Sequence, residues 1–575
     1  MEEKKLTGYP SIDKPWLKYY SEEAINTPLP ECTMYEYLCE CNQHHPDDIA
    51  LIYFGKRITY GTLMENIEKT ASSFAAHGIR KGDTVSVISL NTPETFYVVY
   101  ALNKLGAVCC MEYVTQPSEV LAESLKRTKS KAVVVLDMFS ERFRDAFLNA
   151  NIKQIVVLPL ADSMPFPMNF LARQKTSHRN QATALVFKQF LKCASSKTNT
   201  AVMGKNEAAI IVSTSGTTGI PKRVMLSNQN INSVVWQYQH SSLVFHRQET
   251  FLAITPPFLA FGITLTIHLP LCLGLTSYLT PDPEPKVSTQ LFAKYKPNHF
   301  LGGPAHMEEM VANRKIQKSD MSHAKSIGIG GESLSIERCA EINRFLLEHH
   351  SQSPVLTGYG MTELAPTVMI EMPGITRAGS VGIPFCRVNI KIVDSESGKE
   401  CKFNEIGEMY VHSPSAFIGY MGEQEETGNT LVSDESGISW VKTGDLAFVD
   451  EDGFVFIKGR IKRIFLTYDC EAHQMFKMFP DYIEKLLREC DFVSQCAVIA
   501  TEHKERRYAP VAFVVLSGDC MNPRSALTQY LKQCTSDYNI PYRFVFLDKL
   551  PLLPNSKVDY QTLEQEAKKE MEENL

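Results

Sequence analysis

Strand-like and helix-like segments take turns over residues 50 to 200, and this alternation constrains the fold more than any other feature of the chain. TVSVISL (84–90) reads as a buried strand, and ETFYVVYALNKLGAV (94–108) has helical spacing with a glycine near its end. KAVVVLD (131–137) and QIVVLP (154–159) return to short apolar runs of strand length. Such alternation predicts a layered α/β body on a largely parallel sheet. At roughly 150 residues per domain, 575 residues allow about four compact units, which a large α/β enzyme can merge. Hydrophobic residues make up 44% of the chain and charged residues 22%, enough to bury a sizeable core.

The pattern changes twice downstream. Residues 160 to 206 are polar and weakly patterned around MPFPMNFLARQKTSHRN, which predicts a long surface excursion whose basic stretch allows at most peripheral membrane contact. Residues 408 to 460 are rich in glycine and short strands, and GRIKRIF (459–465) opens a new unit. That unit has a helix at PDYIEKLLREC, strands at QCAVIATE and APVAFVVLSG, a helix near SALTQYLKQC and a strand at YRFVFLD. The expected division is a large α/β domain over 1–460 and a small α+β domain over 461–575. The tail EQEAKKEMEENL reads as a charged, frayed helix.

Charge and cysteine content exclude several classes. Lys+Arg number 59 against 65 Asp+Glu, a net charge of -6, so there is no bulk footprint for nucleic acid or an anionic membrane. No apolar run approaches the roughly 20 residues of a membrane span, and MEEKKLTGYPSIDKPW lacks the apolar core of a secretory signal. The 15 cysteines include no Cys-x-x-Cys pair, and Cys39, Cys41, His44 and His45 fit no standard zinc spacing. Free thiols in this number favour a reducing, cytoplasmic compartment.

After the apolar run Ala208 to Val212 comes Ser213-Thr214-Ser215-Gly216-Thr217-Thr218-Gly219-Ile220-Pro221-Lys222. Glycines let a backbone approach a ligand and present N–H groups to an anion, hydroxyls donate to phosphate oxygens, and lysine adds a point charge. The spacing is not that of a Walker loop. Such a string is either a phosphate loop or a polar strand-to-helix turn. In full, it resembles the signature of the acyl-activating (adenylate-forming) superfamily, which includes acyl-CoA synthetases, beetle luciferases and peptide-synthetase adenylation domains.

Four further strings follow in that superfamily's order. Gly358-Tyr359-Gly360-Met361-Thr362-Glu363 resembles its aromatic-Gly-x-Thr-Glu motif. The resemblance implies that Tyr359 stacks on adenine, Thr362 reaches the α-phosphate, and Glu363, with Thr214, binds the Mg²⁺ that accompanies ATP. Lys442-Thr443-Gly444-Asp445, followed by Gly459-Arg460, implies that Asp445 takes the ribose hydroxyls and Arg460 supports the sugar. Arg460-Ile461-Lys462 resembles the inter-domain hinge, centred on Lys462, about which the small domain rotates between half-reactions. Pro551 to Asp559 resembles the loop of the catalytic lysine, here Lys557, which would bridge the attacking carboxylate and the α-phosphate. Pro256-Pro257-Phe258-Leu259-Ala260-Phe261-Gly262 resembles the pocket mouth, with Phe258, Leu259 and Gly331 as the acyl-pocket residues.

Three departures stand out. Ser556 replaces the glycine usual before the lysine. Extra residues follow Asp469, and Met475 and Tyr482 replace a glycine and a glutamate of the post-hinge loop that lines the thiol tunnel in relatives, so the departure bears on the second half-reaction. Leu259 stands where α-amino-acid activators carry an aspartate for the substrate ammonium, and leucine leaves such a charge unpaired. A fatty or aryl acid suits it better. The resemblance implies ATP-dependent activation of a carboxylic acid as acyl-AMP, with ATP, Mg²⁺ and CoA taking part. Lys222, Glu363 and Lys557 act by positioning and charge stabilisation, with no covalent nucleophile. The alternative acceptor is the phosphopantetheine of a separate carrier protein, and an alternative of another class is a non-catalytic ATP-binding relative.

Overall fold

The computed structural model describes residues 6–170, 184–194, 197–214, 222–331, 334–463, 465–469, 474–504, 506–518, 520–553 and 557–572. In the first of two large sheets, Thr84–Ile88 pairs in parallel with Val108–Met111 on one side and Ala132–Leu136 on the other. Gln154–Leu158 extends the sheet in parallel beyond Ala132–Leu136. Ala208–Ser213 joins parallel to Val108–Met111, and Arg223–Ser227 turns back antiparallel to it. Every residue of Thr84–Ile88 and Ala132–Leu136 is buried, as expected of parallel strands covered on both faces, and this is why they read as continuous apolar runs. The helix Pro93–Lys104 is buried along its whole length, and its apolar character all round follows from packing inside the body. Pro93 opens it, and the Thr92 side chain accepts the N–H of Thr95.

The second sheet runs in parallel through Val355–Tyr359, Ser326–Ile329, His299–Gly302, Thr250–Ala253, Thr276–Leu279 and Ile49–Tyr53, with short antiparallel strands at both edges. A five-stranded antiparallel sheet follows, including Gly407–His412, Ser439–Val449 and Val455–Arg460. Open α/β sheets bind ligands outside the carboxyl ends of their parallel strands. Ser213 and Tyr359 are the last residues of such strands, and Phe258 and Gly331 lie shortly past two others.

The single turn Ile461–Arg463 leads into the C-terminal part. There a hairpin, Phe465–Asp469 with Gln474–Met478, precedes a sheet of Val493–His503, Arg507–Leu516 and Arg543–Phe546. Side chains alternate across this sheet. Cys496, Val498, Ala512 and Val514 pack on helices Pro480–Arg488 and Pro523–Cys534, whereas Ala497, Ile499, Val511 and Phe513 pack on Tyr560–Glu572.

Two expectations are corrected. The tail helix is not frayed over Tyr560–Glu572: Leu563 and Ala567, four residues apart, are fully buried against the sheet. Nor is 160–206 only a surface excursion. Ala184–Val186 adds a parallel edge strand to the first sheet, and Phe187 and Phe190 after it are buried. Among the described residues, no helix is long and apolar enough to cross a membrane.

Candidate functional site

The Ser213–Lys222 string joins two antiparallel strands rather than a strand and a helix. The N–H of Thr214 donates to the Lys222 carbonyl at 2.9 Å and closes the hairpin. Ser215, Gly216, Thr217, Thr218 and Gly219 lie outside the described residues. The root of the hairpin is pinned from below. Arg223 donates to Ser213 Oγ at 2.7 Å and pairs with Glu112 Oε2 at 3.0 Å, both side chains being buried. Glu112 also accepts from Ser124 and Gln116, and the Tyr113 hydroxyl donates to the Ser213 carbonyl at 3.0 Å. Sequence reasoning missed this support. The one available signal was a charged residue, Arg223, opening an otherwise apolar strand.

Lys222 is engaged twice. Its ammonium pairs with Glu426, in the helix Gln424–Thr430, and stands 4.8 Å over the ring of Tyr420. The Tyr420 hydroxyl donates to Glu363 Oε1 at 2.7 Å, so one tyrosine ties Lys222 to Glu363. Glu363 is 7% exposed and sits in the turn Thr362–Leu364. Gly360, before that turn, has no alternative: a Cβ would lie 1.6 Å from the Pro366 carbonyl oxygen.

A second cluster surrounds Asp445. This carboxylate is 3% exposed, pairs through Oδ1 with Arg460 Nε at 2.8 Å and accepts the Tyr359 hydroxyl on Oδ2. Arg460, half exposed, also donates to the Thr443 carbonyl at 3.1 Å. Burial pushes the Asp445 carboxyl up, against the pull of Arg460, Tyr359 and Lys557. Burial, then the Asp445 charge, pushes the Tyr359 hydroxyl well above the ordinary phenol value. The Lys557 carbonyl accepts the Leu553 N–H at 2.7 Å, and the Lys557 charge pulls against the upward shift of the Asp445 carboxyl. Arg460 feels the charges of both Asp445 and Glu363, which joins the two clusters. Of Lys462, only the backbone, in the turn Ile461–Arg463, is described.

Of the expected acyl-pocket residues, Phe258 is tied to the hairpin root. Phe258 is 5% exposed and meets the Tyr113 ring edge-on at 5.3 Å, so it reaches the hairpin root through Tyr113. Leu259 is half-buried. The ring of Phe261 lies 3.0 Å from where a Cβ of Gly330 would be, which sets this segment against Gly330; the next residue, Gly331, is exposed with φ of 90°.

Among the described residues, no group of three or more His, Cys, Asp or Glu side chains could hold a metal. The donor set offers one hard carboxylate, Glu363, with Thr214 at the hairpin end. That fits Mg²⁺, which keeps waters and phosphate oxygens around one or two protein ligands.

The sequence profile described as AMP-binding enzyme matches residues 39–421, and the one described as AMP-binding enzyme C-terminal domain matches 482–557. The chain is 26% identical over 561 residues to the long-chain-fatty-acid–CoA ligase of Bacillus subtilis (strain 168), covering 95% of this chain and 96% of that protein. It is 24% identical over 512 residues to 4-coumarate–CoA ligase 1 of Petroselinum crispum, covering 88% of each. Its fold matches the o-succinylbenzoate CoA synthetase of Bacillus subtilis, solved with its acyl-adenylate intermediate, at a TM-score of 0.76, 22% identity, and coverage of 92% of this chain and 97% of that one. With the first profile spanning more than half of its length and the second lying on its smaller C-terminal part, the chain belongs to the AMP-binding enzyme family.

Proposed function

We propose that this enzyme activates an apolar carboxylic acid, fatty or aryl, in two half-reactions. A carboxylate oxygen attacks the α-phosphorus of ATP, the bond to the β-phosphate oxygen breaks, and pyrophosphate leaves. A thiolate of CoA then attacks the acyl carbon, AMP departs, and a thioester forms. Lys222 and the hairpin hydroxyls hold phosphates, with Thr362 at the α-phosphate. Tyr359 packs on adenine, while Asp445 and Arg460 take the ribose. Lys557 bridges carboxylate and α-phosphate, where fixed positive charge counts most. Glu363 and Thr214 would hold Mg²⁺, which supplies charge neutralisation on the phosphates when bound. Phe258, Leu259 and Gly331 line the acid's entry, and the absence of a carboxylate at Leu259 disfavours α-amino acids. The boundary between the two domains is put at 460/461, with Lys462 as hinge.

The observation that carries this reading is that Tyr359 and Arg460, from separate stretches of sequence, both hold the buried Asp445 carboxylate, which also feels the charge of Lys557. The two named ligases, similar over most of their length, support CoA as acceptor. A carrier-protein phosphopantetheine is the second reading, favoured by two exposed apolar-faced side chains, Met475 and Tyr482, just past the hinge. ATP–pyrophosphate exchange across fatty, aryl and amino acids tests the first half-reaction. Exchange with apolar acids is expected, and a strongest signal from a zwitterionic amino acid refutes the argument from Leu259. Thioester yield with free CoA against a phosphopantetheinyl carrier separates the acceptors.

A further inference from the structure

One carboxylate grips both sides of the turn Ile461–Arg463. Asp481, the second residue of the helix Pro480–Arg488, accepts the backbone N–H of Arg460 on Oδ2 at 3.1 Å and pairs through Oδ1 with the Arg463 guanidinium. Its approach needs the preceding glycine. A Cβ on Gly459 would come within 2.5 Å of Oδ2, and the φ of 142° at Gly459 is one that other residues rarely adopt. Gly459 and Arg460 end the strand Val455–Arg460 of the large part. Arg463 belongs to the other side: it donates to Glu484 at 2.5 Å and to the Val498 carbonyl at 3.1 Å, and lies 4.2 Å from the Tyr560 ring.

A rotation centred on Lys462 would carry Asp481 and Arg463 away together. Their ion pair would survive, and the bond from Arg460 N–H to Asp481 would break. The arrangement in which that bond exists is also the one in which Asp445 feels the charge of Lys557. We propose that Asp481 is a positioning residue for adenylation, a latch across the hinge that holds Lys557 at the site during the first half-reaction and releases before the second. This rests on the two-step reading above. An alternative role for Asp481, as an acid in the first turn of its helix, concerns the stability of that helix alone and makes no distinction between half-reactions.

The test uses the full chain with Asp481→Ala and Asp481→Asn. Pyrophosphate exchange should fall about tenfold in Asp481→Ala, the size expected for loss of a hydrogen bond to a charged acceptor. It should fall less in Asp481→Asn, whose amide oxygen still accepts from Arg460. Thioester formation from a chemically prepared acyl-adenylate should stay within about twofold of wild type. Unchanged exchange in Asp481→Ala, or a parallel fall in both half-reactions, overturns the latch. If the wild type exchanges pyrophosphate with no acid, the adenylation reading fails instead, and hydrogen–deuterium exchange at the Arg460 amide then decides whether the latch exists. Exchange at least about tenfold faster in Asp481→Ala supports it, and equal rates overturn it.

Discussion

In the proposed mechanism Lys222 holds a phosphate, which requires it to let go of Glu426, with which it pairs. The two side chains are 21% and 48% exposed. An ion pair this open to water is worth about 0.2–1 kcal/mol. At roughly 1.4 kcal/mol per factor of ten, that corresponds to between about 1.4-fold and about 5-fold in affinity. Glu426→Gln should therefore lower the KM for ATP by roughly twofold to threefold and leave the KM for the acid unchanged. The substitution is nearly isosteric and lies on an exposed helix, so the fold should be unaffected. The assay is pyrophosphate exchange against ATP concentration, at low and at high salt. Because screening shortens from about 10 Å at 0.1 M to about 3 Å at 1 M, the advantage of Glu426→Gln should shrink as salt rises. In a Lys222→Ala background it should vanish. An unchanged or raised KM for ATP at low salt, or the same shift without Lys222, would refute the competition.

Three further outcomes are expected. Lys557→Ala should cut pyrophosphate exchange by about 10²–10³-fold, the range for a preorganised charge-stabilising donor, while thioester formation from preformed adenylate continues. Glu94, 3% exposed and hydrogen-bonded by Ser163, is pushed by burial from 4.5 up to about 7. Since its folded value lies above the unfolded one, the stability of its neutral form is complete below about 4.5 and is lost as pH rises through about 7. That amounts to roughly 3 kcal/mol, so the melting midpoint should fall between pH 5 and 8, and less steeply in Glu94→Gln. Truncating either Arg223 or Glu112 should destabilise the fold by about 3–5 kcal/mol, whereas the double change Arg223→Met with Glu112→Leu should recover most of it in denaturant titration.

What the sequence made legible follows the range of the forces involved. The strands Thr84–Ile88, Ala132–Leu136 and Gln154–Leu158 and the helix Pro93–Lys104 were readable because burial writes itself into consecutive residues. Tyr359, Asp445, Arg460 and Lys557 were readable because each sits in a recognisable string. The carboxylates that pair with Lys222 and Arg223 were not. Glu426 is 204 residues from Lys222 and Glu112 is 111 from Arg223, and no local pattern marks a carboxylate that meets its cation only after folding. The tail helix misled for a related reason: its charges dominate the composition, while a few apolar positions, buried Leu563 and Ala567 with half-buried Tyr560 and Met571, seat it on the sheet. Ala184–Val186 is only three residues long, too short for periodicity to declare it a strand.

The counter-charges explain how a chain of net charge -6 can present cations to a nucleotide without mutual repulsion among them. Lys222 is neutralised by Glu426, Arg460 by Asp445 and, below them, Arg223 by Glu112. Exposure then decides what each carboxylate can do when a polyanion arrives. Glu426, at 48%, can turn into water, so its partnership with Lys222 is exchangeable. Asp445, buried, cannot leave and would be costly unpaired, so it needs new donors if Tyr359 and Arg460 turn to a ligand; in the proposed mechanism paired sugar hydroxyls supply them. Glu112, at 0% and filled by Arg223, Ser124 and Gln116, has nothing to exchange and stays as the fixed footing of the hairpin. One kind of ion pair thus gives an exchangeable pair at the surface, a buried pair that needs replacement donors and a fixed anchor, sorted by depth alone.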